Sequence, residues 1–224
     1  MKLLLASLLL LNTYFGTYPH KAQTAMDFWR EHPECCDSLR LTLSDNETLL
    51  ACAIVSPEVS QYSQLEDFAQ FKAMALVYIL HAQGDYSIGY FQMKPSFAAR
   101  IEALVGADKE LLKRHAQLLI SYSKEDDPDG RRQRHDRLDR LCNLNWQVRY
   151  LAAFVDIVKQ KTASSRFKDD EAKLRYWATL YNAGIDSSPG RVASCMSKKQ
   201  FPRHGVRFNY ADVAVEFYNQ MKNK

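Results

Sequence analysis

The stretch from Ser44 to Glu58 constrains this chain more than any other. Ser44-Asp45-Asn46-Glu47 has the form of a capping box, with Ser44 as N-cap and Glu47 placed to return a hydrogen bond to its backbone. Leu49 to Val55 follows as Leu-Leu-Ala-Cys-Ala-Ile-Val, an apolar run with no polar face. A helix that is apolar on every side must be surrounded by other elements. The chain therefore has to build a multi-helix core around this segment. Pro57 disfavours helical geometry at Ser56. The helix is expected to end there and leave Glu58 just beyond it, free to project.

The rest of the chain supplies helices to pack around it. Leu65 to Gln83 reads as a long apolar helix capped by Gly84. Asp85 to Lys94 breaks the helical period, and its glycine and aromatics predict a short extended or hairpin-like insert. Pro95 suits the first turn of a helix carrying Phe97, Ile101 and Leu104 on one face and ending at Gly106. Further helices are predicted over Lys109–Ile120, Trp146–Lys159, Glu171–Ala183 with Gly184 as cap, and Tyr210–Met221. The charge-dense Ser123–Arg140 reads as a solvated loop running into a helix. Its acids and bases interleave and it lacks the aromatics of a nucleic-acid surface. The expected fold is mainly α, with seven or eight helices and one small non-helical insert.

At 224 residues without repeats or a Pro/Gly/Ser linker, a single domain is the simpler organisation. Lys2, the largely apolar run Leu3–Leu11 and the small residues Gly16, Ala22 and Ala25 have the layout of a secretory leader. The reading is a leader over residues 1–22, cut between Gly16 and Ala25, followed by one domain over 23–224. The protein is then exported, to a periplasm or a cell surface, or secreted. No other stretch is long enough to cross a membrane. A net charge of +4 suits an anionic polymer and falls short of a nucleic-acid signature. An oxidising compartment allows one or two disulfides among Cys35, Cys36, Cys52, Cys142 and Cys195, with the pairing open and one thiol left over; free cysteines buried in a helical core are the equal alternative. The histidines show no metal-ligand spacing, so neither a metal nor a cofactor is expected.

Three separated pieces then fit together. They are Ala53-Ile54-Val55-Ser56-Pro57-Glu58, Ser87-Ile88-Gly89-Tyr90-Phe91-Gln92-Met93-Lys94-Pro95, and Tyr181-Asn182-Ala183-Gly184. In this order they resemble the soluble lytic transglycosylase and goose-type lysozyme family of the lysozyme-like superfamily. The likeness runs from about Leu49 to Gly184, and Tyr210 matches a late tyrosine of that family's cleft. The chain departs from the pattern in three ways: Val59 stands where a serine usually follows the glutamate, with Ser60 one further on; Lys94 replaces a methionine; and the span from Glu58 to Gln92 is long. These features mark a divergent member.

The resemblance implies a lysozyme-like helical domain, its insert lining a cleft, that cuts the MurNAc–GlcNAc β-1,4 bond of peptidoglycan glycan strands as a monomer. It makes Glu58 the catalytic acid and base, and Ser60, Ser87, Gln92, Tyr181, Asn182 and Tyr210 the substrate-binding residues. The chemistry needs a proton donor aimed at the leaving oxygen, and apolar surroundings raise a glutamate's pKa toward that task. Gln92 and Asn182 offer amides for N-acetyl groups and hydroxyls, Tyr90 and Phe91 a flat apolar surface, and Gly89 a close backbone approach. A transglycosylase lets the muramic acid C6 hydroxyl attack and leaves a 1,6-anhydro end, with the substrate's own N-acetyl group assisting. Two alternatives stand beside it: a hydrolytic lysozyme on the same scaffold, and a non-catalytic cell-wall glycan-binding protein. Glu66, Asp67 and Asp85 are the candidates for a second carboxylate.

Overall fold

The structure, a computed structural model, describes residues 13–63, 75–82 and 84–223. It is mainly helical. Its helices are α1 (Tyr14–Thr17), α2 (Pro19–Glu31), α3 (Pro33–Arg40), α4 (Asp45–Gln61), α5 (Pro95–Ala107), α6 (Lys109–His115), α7 (Arg131–Leu141), α8 (Leu144–Lys161), α9 (Asp170–Ala183), α10 (Pro189–Met196) and α11 (Tyr210–Lys222). Among the described residues β pairing is confined to two isolated antiparallel bridges, Ile88 with Met93 and Phe201 with Phe208. The run Leu3–Leu11, Glu66, Asp67 and most of the helix expected over Leu65–Gln83 lie outside the described residues. Residues 75–81 of that stretch are helical, and Ala82 ends them in the left-handed region at φ 53°.

The chain divides into two compact units, one built from Met1–Gln61 and Thr162–Lys224, the other from Tyr62–Lys161. No composition shift or linker in the sequence marks this division. In the first unit α4 is the central helix, packed by α2, α3, α9 and α11. Leu50, Ala51, Ala53, Ile54 and Val55 are completely buried, as an apolar run without a polar face requires. The capping box forms as read: the Ser44 N–H donates to Glu47 Oε2 at 3.0 Å and the Glu47 N–H to Ser44 Oγ at 3.3 Å.

The expected end of this helix at Ser56 is corrected. α4 continues to Gln61 with Pro57 inside it. A proline inside a helix costs about 3 kcal/mol in lost hydrogen bonding and steric clash. Pro57, Val59 and Ser60 are all buried, and the burial of this last turn outweighs the local penalty.

The N-terminal residues extend the same core. Tyr14 is fully buried, within 6.1 Å of the ring centroids of Tyr18, Phe201, Phe208 and Phe217. The Glu216 carboxylate accepts from the backbone N–H groups of Tyr14 at 3.0 Å and Phe15 at 3.1 Å. A cut between Gly16 and Ala25 would remove this tyrosine from the core, so an exported form that keeps this packing requires a cut before Tyr14.

In the second unit α8 packs against α5, α6 and α7. Its interior holds a polar network that the helical periodicity does not announce. Arg137 donates through Nε to Glu102 Oε1 at 3.0 Å and through Nη2 to Oε2 at 2.6 Å, and Tyr150 donates to Oε1 at 2.6 Å. Arg137 thus leaves the solvated face expected for Ser123–Arg140 and becomes a core residue. The helix expected to reach Ile120 is α-helical only to His115, then tightens into a 3₁₀ turn over Ala116–Leu118. There His115 turns inward to Asp156 Oδ2 at 2.7 Å, which Arg114 pairs on the other oxygen at 3.0 Å.

Candidate active site

The last turn of α4 carries the candidate acid, and its polar groups bond both within the helix and to neighbouring helices. Ser56 Oγ donates to the Cys52 carbonyl at 2.8 Å and accepts from Trp29 Nε1 of α2 at 2.8 Å. The Tyr210 hydroxyl, at the start of α11, donates to the Ile54 carbonyl at 2.9 Å. Ser60 Oγ donates to the Pro57 carbonyl at 2.6 Å. A hydroxyl has one proton, so the 2.6 Å contact between Ser60 Oγ and Tyr14 is donated by the tyrosine. Tyr14 in turn accepts from Gln61 Nε2 at 2.6 Å. These bonds hold a proline-containing turn in helical form.

Glu58 lies inside that turn, not beyond the helix, and is half-buried. Burial pushes its carboxyl up to about 7, and the positive charge of Arg203 opposes this. Tyr181, in α9, and Tyr210 are both buried. Burial first, and the charge of Glu58 second, hold both phenols well above their ordinary range. The first unit therefore brings together a carboxyl that is half protonated near neutrality and two phenols that keep their protons. This is the equipment of a general acid beside neutral hydrogen-bonding groups.

The other expected site residues divide between the two units. Asn182 follows Tyr181 on α9 and is exposed. Gly184 ends that helix at φ 108°, its N–H reaching the Leu180 carbonyl at 3.0 Å. Ser60 is buried, with its hydroxyl turned to Tyr14 and Pro57 and not offered to a ligand. Ser87 and Gln92 belong to the second unit and are half-buried. Gln92 adopts φ 50°, and its Nε2 donates to the Gly89 carbonyl at 2.8 Å, so part of its amide is used within its own turn.

Gly89 is required at its position. Its φ is 70°, and a Cβ there would lie 1.7 Å from Gln147 Nε2. Gln147, buried on α8, donates to the Ile88 carbonyl at 3.1 Å and accepts from the Phe91 N–H at 2.9 Å. It clamps the turn that carries Gln92. Phe91 is fully buried and is a core residue, correcting the expectation of a surface shared with Tyr90. Tyr90 packs against Tyr62 with ring centroids 4.3 Å apart and planes tilted by 39°. Asp85 accepts from the Ser96 N–H at 3.0 Å and Oγ at 2.7 Å, which ties it to the first turn of α5.

Three residues near these motifs escaped the sequence reading: Tyr14, Arg203 and Gln147. Tyr14 falls within the expected leader, and the contacts of the other two join residues far apart in the chain. On α7, the exposed His135 with Asp136 and Asp139 could bring ligand atoms within 4.8 Å of one another, although His135 already pairs with Asp139 at 3.3 Å. Comparisons with family models, curated proteins and solved structures return no match. Among the described residues, no helix is long and apolar enough to cross a membrane.

Proposed function

We propose that this protein is an exported lytic transglycosylase that cuts the MurNAc–GlcNAc β-1,4 bond of peptidoglycan, with Glu58 as its single acid and base. The observation that carries the proposal is a half-buried glutamate whose carboxyl is pushed up to about 7, beside two buried tyrosines. The order of the three sequence motifs supports the choice of substrate. In this reading protonated Glu58 delivers its proton to the glycosidic oxygen as the bond to the anomeric carbon breaks, and the substrate's N-acetyl carbonyl closes on that carbon. The Glu58 carboxylate then takes the proton of the muramic acid C6 hydroxyl as that oxygen attacks the anomeric carbon, and the bond from that carbon to the N-acetyl oxygen breaks to restore the acetamide. The product is a 1,6-anhydro end, and Glu58 is again protonated. Tyr181 and Tyr210 hold the carboxyl in its low-polarity setting. Asn182 is the exposed amide for an N-acetyl group or hydroxyl, and the motif assigns Gln92 and Ser87 to the same task.

The test is digestion of purified peptidoglycan by wild type and by Glu58→Gln, with mass spectrometry of the soluble products. Wild type is expected to release muropeptides with 1,6-anhydro ends and the variant to release at least 100-fold less, the scale of a lost general acid. Reducing ends would make the protein a lysozyme using the same acid with water. Binding to the cell wall without release of any product would replace the enzyme by a glycan-binding protein.

A further inference from the structure

Cys36 on α3 and Cys52 on α4 face each other with their sulfurs 3.6 Å apart. We propose that these two thiols, of the five in the chain, are a built oxidation site that closes a disulfide between α3 and α4. The inference is independent of the glycan reading and resolves a pairing that the sequence leaves open.

The two sulfurs are already in contact, and a bond of about 2.05 Å needs an approach of about 1.5 Å between side chains on two packed helices. Cys36 is half-buried and can meet a small disulfide reagent, whereas Cys52 is only 3% exposed and is reached through Cys36. Their chemistry is polarised in the same sense. The hydrogen bond from Cys52, and then the charge of Arg40, bring the Cys36 thiol down to about 7. The neighbouring Cys35 is pushed up to about 12 by burial and then by the charge of Glu34. Cys36 is therefore the attacking thiolate and Cys35 the inert neighbour.

With oxidised glutathione as the oxidant, the Cys36 thiolate attacks one glutathione sulfur and expels the other as a thiolate. Cys52 loses its proton and attacks the Cys36 sulfur of the mixed disulfide, expelling the second glutathione. One disulfide is reduced to two glutathione thiols while the two cysteine thiols are oxidised to one disulfide. The new bond would anchor α4 less than two turns ahead of Glu58.

The experiment equilibrates the purified full chain with oxidised and reduced glutathione, quenches with acid, alkylates in denaturant and digests with trypsin without reduction. Cys35 and Cys36 share the peptide Glu31–Arg40, and Cys52 lies in Leu41–Lys72. The expected result is a linked pair of these peptides in wild type and in Cys35→Ala, and none in Cys36→Ala. The oxidised chain should also melt about 5 °C or more above the reduced one, a difference that Cys36→Ala abolishes. Full alkylation of Cys36 and Cys52 in excess oxidised glutathione would overturn the proposal. So would a link that survives Cys36→Ala and is lost in Cys35→Ala.

Discussion

Glu58, the acid of the proposed reaction, carries a thermodynamic cost whatever its chemistry. Its carboxyl titrates near 4.5 in a solvated chain and near 7 in the fold, because burial disfavours the charged form. Between those values the folded state holds more protons than the unfolded state. Stability therefore falls as pH rises through this window, and the full loss is present above about pH 7. Glu58→Gln removes the cost. After discounting for partial exposure, the variant is expected to exceed wild type by roughly 1–3 kcal/mol at pH 8, with little difference at pH 4. Urea unfolding at both pH values measures this, and a gain of equal size at both would assign the effect to packing. The same titration predicts that kcat/KM on peptidoglycan declines above about pH 7, as the acid loses its proton. The glutamate was legible as a candidate because the three-motif resemblance singles it out, and the apolar residues and Pro57 before it suit a raised pKa. The fate of Ser60 was not. Its partner Tyr14 lies 46 positions away, and no local pattern encodes that contact.

At the scale of the element, α4 shows propensity yielding to packing. The capping box and the apolar run placed its start and its burial correctly, but Pro57 argued for a stop where the helix runs on. The rule for the residue before proline describes a local preference of the backbone. Here Trp29, Tyr210 and Tyr14, from three other helices, supply hydrogen bonds that hold the last turn. The expected leader over residues 1–22, which rests on Lys2, the run Leu3–Leu11 and the small residues after it, overlaps α1 and the start of α2. Tyr14→Ala is expected to cost about 3–5 kcal/mol, the range for removing a large buried aromatic side chain. A chain beginning at Gln23 should lose at least as much, since it also lacks the rest of α1 and the start of α2. Thermal melts of these two forms beside the full chain measure the contribution. If both melt with the full chain, the N-terminal helices are not part of the cooperative core.

At the scale of the whole molecule, the two units differ in how the chain builds them. The first needs two distant segments, with α4 from one packed against α9 and α11 from the other. The second is continuous in sequence and contains its own buried Glu102–Arg137–Tyr150 network. A fragment covering Tyr62–Lys161 is therefore expected to show helical circular dichroism and a cooperative melt. Fragments covering 13–61 or 162–224 alone should show neither. A non-cooperative melt of the first fragment would make the division into units a feature of contact density without independent folding. What the sequence by itself determined is what depends on near neighbours: a mainly helical class, the cap at Ser44, the proline start of α5, the stop at Gly184, and a glutamate preceded by apolar residues. Only the tertiary structure decided the passage of α4 through Pro57, the inward turn of Arg137, the contact between the Cys36 and Cys52 thiols, and the burial that lifts Glu58 toward neutrality. Each of these depends on groups brought together from distant positions, and the free energy of burial and desolvation belongs to the packed environment, not to the residue that experiences it.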